Sequence, residues 1–306
     1  MESVTIVGVG LIGGSIAIDI RNQGFAGEIL GVDQNAEYGA IALKSGLVDK
    51  MVDLKSSMNH SSLVILATPV NTLPALATAC LDFSSEETVI IDTGSTKQQL
   101  CKAISSHVNR SRFVAAHPIA GTENSGPGAA LARLFNGKTN IICEREKSST
   151  QAIDRAMQLF NALGMKTIFM DPVEHDRHAA YVSHLSHVSS FLLGHTVLDM
   201  EKDEKNIFNL AGSGFASTVR LAKSSPEMWA PIFEQNSEYL SQALLEYIMH
   251  LQRFHYHLMK RDTAELTRIM SKANDIRRVL EGIEPKQAIT GNSRNPLDNH
   301  ATIKNQ

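Results

Sequence analysis

The chain has 306 residues, enough for two domains with separate cores. Its 29 basic and 32 acidic residues nearly cancel, which leaves no footprint for a polyanion such as nucleic acid. Its three cysteines, Cys80, Cys101 and Cys143, are widely spaced, odd in number and in no metal pattern, so they suit a reducing compartment and not a disulfide framework.

Residues 4–7 open the chain as an apolar, β-branched run, the pattern of a strand buried on both faces. The run turns through Gly8-x-Gly10-x-x-Gly13 into a segment of helical spacing. Gly8 permits a tight turn, Gly10 lets the backbone approach a pyrophosphate, and Gly13 lets helix and strand pack closely. Leu11 and Ile12 lie within the same turn, whose free N–H groups face the phosphates. A second apolar run, 29–32, ends at Asp33, ~20 residues on, where a carboxylate meets an adenosine ribose. A plain glycine-rich turn is the alternative, but strand, glycines, helix, strand and acid occur in the order of a dinucleotide site. Asp33 repels a 2′-phosphate, and Gln34 and Asn35 supply no arginine to hold one, which favours NAD over NADP.

Further along, 37–45 reads as a helix stopped by Gly46, and 63–67 as a buried strand ended by Thr68-Pro69; Thr68 joins the cofactor candidates. Residues 73–81 are helical, 89–91 a strand closed by Asp92-Thr93-Gly94-Ser95, and 97–104 a helix. A strand over 113–116 runs into His117-Pro118, a strand follows at 140–143, an amphipathic helix at 150–163 ends at Gly164, and a last strand occupies 167–170. Strands alternating with helices predict an α/β fold, a parallel doubly wound sheet of Rossmann type with ligands at the C-terminal strand ends. After Pro172 the strand signals stop. Residues 174–200 and a long segment begun by Ser225-Pro226-Glu227 carry apolar stripes of helical spacing, and Asp262 starts one more helix. The expected division is a dinucleotide-binding domain over 1–173, an all-helical substrate and dimerisation domain over 174–281, and a mobile polar tail over 282–306. The helical stripes exceed what a small domain covers by itself, so a homodimer interface is expected there. No signal-peptide pattern opens the chain and no apolar run approaches the ~18 residues of a membrane span, so a cytoplasmic location without membrane attachment is expected.

Three clusters fall at the expected ligand edge. Asp92 to Lys97 follows a strand end; Ser95 there is either an ordinary cap or a working hydroxyl. His117 directly follows a buried strand and precedes a Gly/Ser-rich loop, the setting of a general base that takes an alcohol proton as hydride leaves the same carbon. Five of the twelve histidines lie between His175 and His195. His184 and His187, three apart on one helix face, line a substrate pocket or face solvent; no carboxylate or cysteine stands at metal spacing, so no metal is assigned. Arg220 is a surface charge or a bidentate carboxylate holder, and Trp229, the one tryptophan, is core or pocket wall.

From residue 4 to about 281 the chain resembles the prephenate/arogenate dehydrogenase family of tyrosine biosynthesis. The resemblance rests on Gly8-x-Gly10-Leu11-Ile12-Gly13-Gly14-Ser15, Asp92-x-Gly94-Ser95-x-Lys97, the loop from His117 to Gly126, His175-Asp176 with Ser183-His184-Leu185-x-His187, and Gly214-Phe215 followed by Arg220. It implies that His117 deprotonates the ring 4-hydroxyl and that Ser95 orients His117 and touches the same hydroxyl. It also implies that Arg220 holds a substrate carboxylate and that His187, His184 and Trp229 line the pocket. Gly8, Gly10, Gly13 and Asp33 would hold NAD, and prephenate or arogenate would be substrate, with tyrosine a possible competitor. Ser213, Ser217 and Val219 replace the Gly, Asp and Thr of the G-G-F-x-D-x-T-R pattern, and Asn124 stands where a lysine is common. These departures bear on side-chain preference. No ACT-type regulatory pattern follows 281 and no mutase-like segment precedes residue 4.

Overall fold

In the computed structural model of the chain, the described residues are 3–58, 61–202 and 206–283. They fall into two compact units that divide between Leu245 and Glu246. The first unit is built on an eight-stranded sheet: β1 Ser3–Val7, β2 Glu28–Val32, β3 Lys50–Met51, β4 Leu63–Leu66, β5 Val89–Asp92, β6 Phe113–Pro118, β7 Thr139–Cys143 and β8 Lys166–Met170. Their spatial order is β3-β2-β1-β4-β5-β6-β7-β8. The first six are mutually parallel, and the chain reverses direction in strand order between β1 and β4, the crevice where such sheets bind ligands.

Alternation along the strands explains why they are buried on both faces. Val4 and Ile6 of β1, Ile65 of β4 and Ile91 of β5 join one core with Ile16 and Ile20 of helix Leu11–Asn22 and Leu159 and Phe160 of helix Thr150–Ala162. Val7, Leu66, Ile90 and Phe113 join the opposite core with Leu73 and Leu81 of helix Leu73–Phe83 and Leu100 and Ile104 of helix Gln98–Ile104.

The sheet departs from the expected all-parallel form at one seam. β6 pairs antiparallel with β7, and β8 then runs parallel to β7. The segment between β6 and β7 is long enough for a parallel crossover but holds only a short 3₁₀ turn, Pro127–Ala129, in place of the helix that such a crossover usually carries. That connection folds over the first helix instead. Leu131 N–H donates to Ser15 Oγ at 2.9 Å and Arg133 N–H to Asp19 Oδ1 at 2.8 Å.

Beyond β8 the described chain is helical. Helix Pro172–Ala179, capped by the Asp171 carboxylate, passes through a π-helical turn, Ala180–His184, into helix Leu185–Glu201. The long segment expected after Ser225 is two helices, Pro226–Gln235 and Ser237–Met259, separated at Asn236. Ser225 caps the first through a bond from Met228 N–H, as its sequence predicts.

The second unit continues with Thr263–Ala273, capped by Asp262, and Arg277–Ile283. Among its described side chains none is buried, and Met249, Leu251, Met259 and Met270 are all more than half exposed. Most of the expected 282–306 tail, residues 284–306, lies outside the described residues.

Candidate active site

Because β1, β4, β5 and β6 are parallel, Gly8, Thr68, Ser95 and His117 all emerge at one edge of the sheet. At its nucleotide end the backbone makes the site. Gly8 has φ +91°, and a Cβ there would stand 2.5 Å from Ala67 O. A Cβ on Gly13 would stand 2.0 Å from Gly8 O, so helix and turn meet only through glycine. Gly10 is the opposite case: a Cβ there meets nothing within 4 Å, which leaves room for a phosphate against the backbone. Gly10 also caps helix Leu11–Asn22 without a side-chain bond, so the first-turn N–H groups, with Leu11 and Ile12 among them, are not taken by a cap. Asp33, at the end of β2, accepts from Val9 N–H at 3.0 Å and Asn35 N–H at 2.9 Å, which fixes its carboxylate beside the turn. Thr68 Oγ1 is 2.8 Å from Thr72 Oγ1. These features fit a dinucleotide with an unphosphorylated ribose.

Side chains make the catalytic end. His117 is the one partly exposed residue of β6, and its Nδ1 lies 2.8 Å from His175 Nε2. His175 Nδ1 lies 2.7 Å from Asp176 Oδ1. The Asp176 carboxylate also accepts from Lys97 N–H at 2.8 Å and Gln98 N–H at 2.9 Å, which holds it to the start of helix Gln98–Ile104. Beneath lies a fully buried ion pair. Lys97 Nζ donates to Asp92 and, at 2.7 Å, to the carbonyl of Ala116, the residue before His117. Asp92 Oδ1 accepts from Ala116 N–H at 3.1 Å, so both backbone groups of Ala116 are engaged. Burial first, then the neighbouring His175, Lys97 and His184, hold the His117 imidazolium well below its ordinary range. A lowered pKa favours the neutral ring, which has a nitrogen able to accept a proton.

The π-helical turn delivers His184 to the same cluster. Asn236 Nδ2 donates to Asp176 O at 2.7 Å and to His184 Nδ1 at 3.0 Å. That leaves the proton of neutral His184 on Nε2, and burial pushes its pKa down to about 4. His187 Nδ1 is 3.0 Å from Ser183 O, and its ring stacks on Trp229 at 3.5 Å between centroids. Burial lowers the His187 pKa too. Trp229 is buried, and its Nε1–H has no protein acceptor among the described residues. Arg220, half exposed, donates from one guanidinium nitrogen to Glu123 Oε2 at 2.8 Å.

The sequence-expected residues His117, His184, His187 and Trp229 are thus brought into one cluster. Ser95 is a different matter. It makes no hydrogen bond with His117 among the described residues, and His117 Nδ1 is already engaged by His175. The residue on that atom, His175, is one that the histidine count flags without assigning. Asp92 and Lys97 belong to a cluster that the sequence places at the ligand edge without giving either a role; Asp176 appears there only within the His175-Asp176 motif, and Asn236 carries no sequence signal.

Comparison with known proteins follows the same outline. Two family models match: prephenate dehydrogenase, nucleotide-binding domain, over 16–169, and prephenate dehydrogenase, dimerization domain, over 171–272. Prephenate dehydrogenase of Bacillus subtilis is 31% identical over 279 residues, covering 90% of this chain and 75% of that one. Cyclohexadienyl dehydrogenase of Zymomonas mobilis is 28% identical over 263 residues, covering 85% and 90%. Among solved structures, prephenate dehydrogenase from A. aeolicus in complex with hydroxyphenyl propionate and NAD+ superposes with TM-score 0.83 at 31% identity, covering 92% of this chain and 98% of that one. Synechocystis arogenate dehydrogenase gives 0.71 at 25% identity, covering 91% and 99%. A glycine turn after β1, a histidine at the same end of the sheet on β6 and matches along nearly the whole chain agree: the protein belongs to the prephenate/arogenate dehydrogenase family.

Proposed function

We propose that the protein converts prephenate to 4-hydroxyphenylpyruvate by oxidative decarboxylation with NAD as oxidant, in tyrosine biosynthesis. The observation that carries this reading is His117, a partly buried imidazole at the same end of the sheet as the glycine turn, 2.8 Å from His175. Bound at Gly8, Gly10, Gly13 and Asp33, NAD supplies the hydride acceptor. His117 takes the proton of the substrate's ring hydroxyl as hydride leaves the same carbon. The ketone so formed is conjugated to the ring, carbon dioxide is lost from the ring carboxylate, and the ring becomes a phenol. Aromatisation drives the sequence, so the protein's part is orientation, charge complementarity and a place for one proton.

Arg220 binds a substrate carboxylate through guanidinium N–H groups other than the one given to Glu123. His187 and Trp229 wall the ring, His184 offers an Nε2–H donor, and Ser95 meets the substrate hydroxyl. Tyrosine, which shares the product's phenol, competes for the same pocket. The chain works as a cytoplasmic homodimer joined through residues 174–281. The matched dimerization domain and the exposed apolar side chains of the second unit support that assembly, because helices with no buried face need a partner surface.

Arogenate is the second reading, favoured by the match to an arogenate dehydrogenase across most of the chain. Its base and hydride chemistry are the same. The test is NADH formation by the purified protein with prephenate and arogenate in parallel, repeated with NADP. Turnover of prephenate with NAD supports the main reading. Preference for arogenate moves the specificity to the neighbourhood of Asn124, Ser213, Ser217 and Val219. No turnover of either overturns the enzymatic reading and leaves a nucleotide-binding regulatory protein.

A further inference from the structure

We propose that His175 and Asp176 are the positioning pair of the His117 base, and that they fix its tautomer so that Nε2 is the proton-accepting atom. This rests on the reading of His117 as the base.

The direction of each bond follows from what each atom can do. An ionised carboxylate only accepts, and Asp176 is already held as an acceptor by two backbone N–H groups, those of Lys97 and Gln98. His175 Nδ1 must therefore carry the proton in its 2.7 Å bond to Asp176. A His175 ring with that single proton is bare at Nε2, and its 2.8 Å bond to His117 Nδ1 then places the shared proton on His117. His117 is left with an unprotonated Nε2, the one ring atom free to receive the substrate proton. When Nε2 takes it, the imidazolium keeps its Nδ1–H on His175, whose other side is polarised by Asp176. The proton stays on His117 until loss of carbon dioxide leaves a phenolate at the same oxygen, which takes it back to become the phenol; no transfer on to His175 or Asp176 is needed.

The pair is built to stay in place. His175 and Asp176 are both buried, and the Asp176 carbonyl is held by Asn236 Nδ2 at 2.7 Å. Helix Pro172–Ala179 does not need His175 for its own start, which the Asp171 side chain caps. Lys97 fixes the other side of His117 through the Ala116 carbonyl. The imidazole is thus oriented from the sheet and from the helical segment at once, by the logic that sets a tautomer in a Ser-His-Asp triad.

The test compares wild type with His117→Asn, His175→Leu and His175→Gln, measuring kcat and KM for prephenate and NAD binding. His175→Leu keeps volume and removes the acceptor; His175→Gln offers a carbonyl to His117 Nδ1–H. His175→Leu should lose roughly 10²-fold in kcat, below the ~10⁴ lost when a triad tautomer is wrong, with KM within about threefold. His175→Gln should recover at least about tenfold of that loss. Wild-type kcat in His175→Leu, equal losses in both variants, or a loss confined to KM overturns the proposal. Should His175→Leu fail to fold, ¹⁵N NMR of the wild-type histidine rings decides: His117 protonated on Nδ1 supports the pair, and protonation on Nε2 overturns it. An active wild type with a dead His117→Asn and an indifferent His175→Leu sinks this proposal alone. An inert wild type sinks the functional reading, while the NMR result still stands.

Discussion

The two ends of the site are made of different material. At the nucleotide end, a turn between β1 and the first helix shapes the site mainly through backbone, and the Asp33 carboxylate is held beside it from the end of β2. At the catalytic end, side chains from Asp92 to Asn236 lock together, and the Thr96 hydroxyl bonds Gln235 across 139 residues of chain. The first end fails when an atom is added where there is no space. The second fails when a hydrogen bond loses its direction or a buried charge loses its partner.

The largest effect should come from His117→Asn. Turnover should fall by ~10²–10⁴, the range for loss of a general base, with NAD affinity unchanged. Near-normal steady-state turnover would remove the base from the mechanism. Next comes Lys97→Met, which strands Asp92 as an uncompensated buried charge and should cost ~3–5 kcal/mol in urea unfolding. Asp92 then escapes the penalty by protonating, so the folded state binds more protons and the deficit should shrink as pH falls. A pH-independent deficit would mean that packing, not charge, holds this layer.

Acid should weaken the wild type itself. The folded pKa values of His117, His184 and His187 lie below the unfolded value near 6.5, so the unfolded state binds more protons and stability falls with falling pH. For His184 the window runs from about 6.5 down to about 4, worth about 3 kcal/mol. Melting curves from pH 7 to 4 should show that slope, and His184→Asn should flatten it. An unchanged slope would place the acid sensitivity elsewhere.

Gly10→Ala should have the smallest effect on stability, within ~0.5 kcal/mol, because its Cβ meets no protein atom, while NAD affinity drops ~10-fold. Gly13→Ala, 2.0 Å from a carbonyl oxygen, should damage both together. Equal behaviour of the two glycines would erase the distinction between space kept for the fold and space kept for the ligand.

The same contrast explains what could be read in advance. Glycine spacing, strand hydrophobicity and Asp33 are local, and they place the turn, the sheet edge and the nucleotide within one stretch of chain. His117 stood out because a histidine after a buried strand has little structural purpose. His175 and Asp176 did not acquire a role, because nothing at positions 175–176 says that this helix turns back onto the end of β6. The antiparallel β7 was hidden for a related reason. Strand hydrophobicity carries no direction, and only the helix-free connection from 119 to 138 distinguishes a return from a crossover. Two-residue β3 is too short to give a period, and the break at Asn236 leaves the apolar stripe of its helices continuous.

The wide turn at Ala180–His184 has a consequence for how this pocket tolerates insertion and deletion. A π-helical turn holds one residue more than the α-helical geometry around it. Removing one residue from 180–183 would restore an uninterrupted α-helix and rotate everything downstream by ~100° relative to Pro172–Ala179. The composition would scarcely change, yet His184 would leave Asn236 and His187 would leave Trp229. Here the pocket is stored in chain length as much as in residue type.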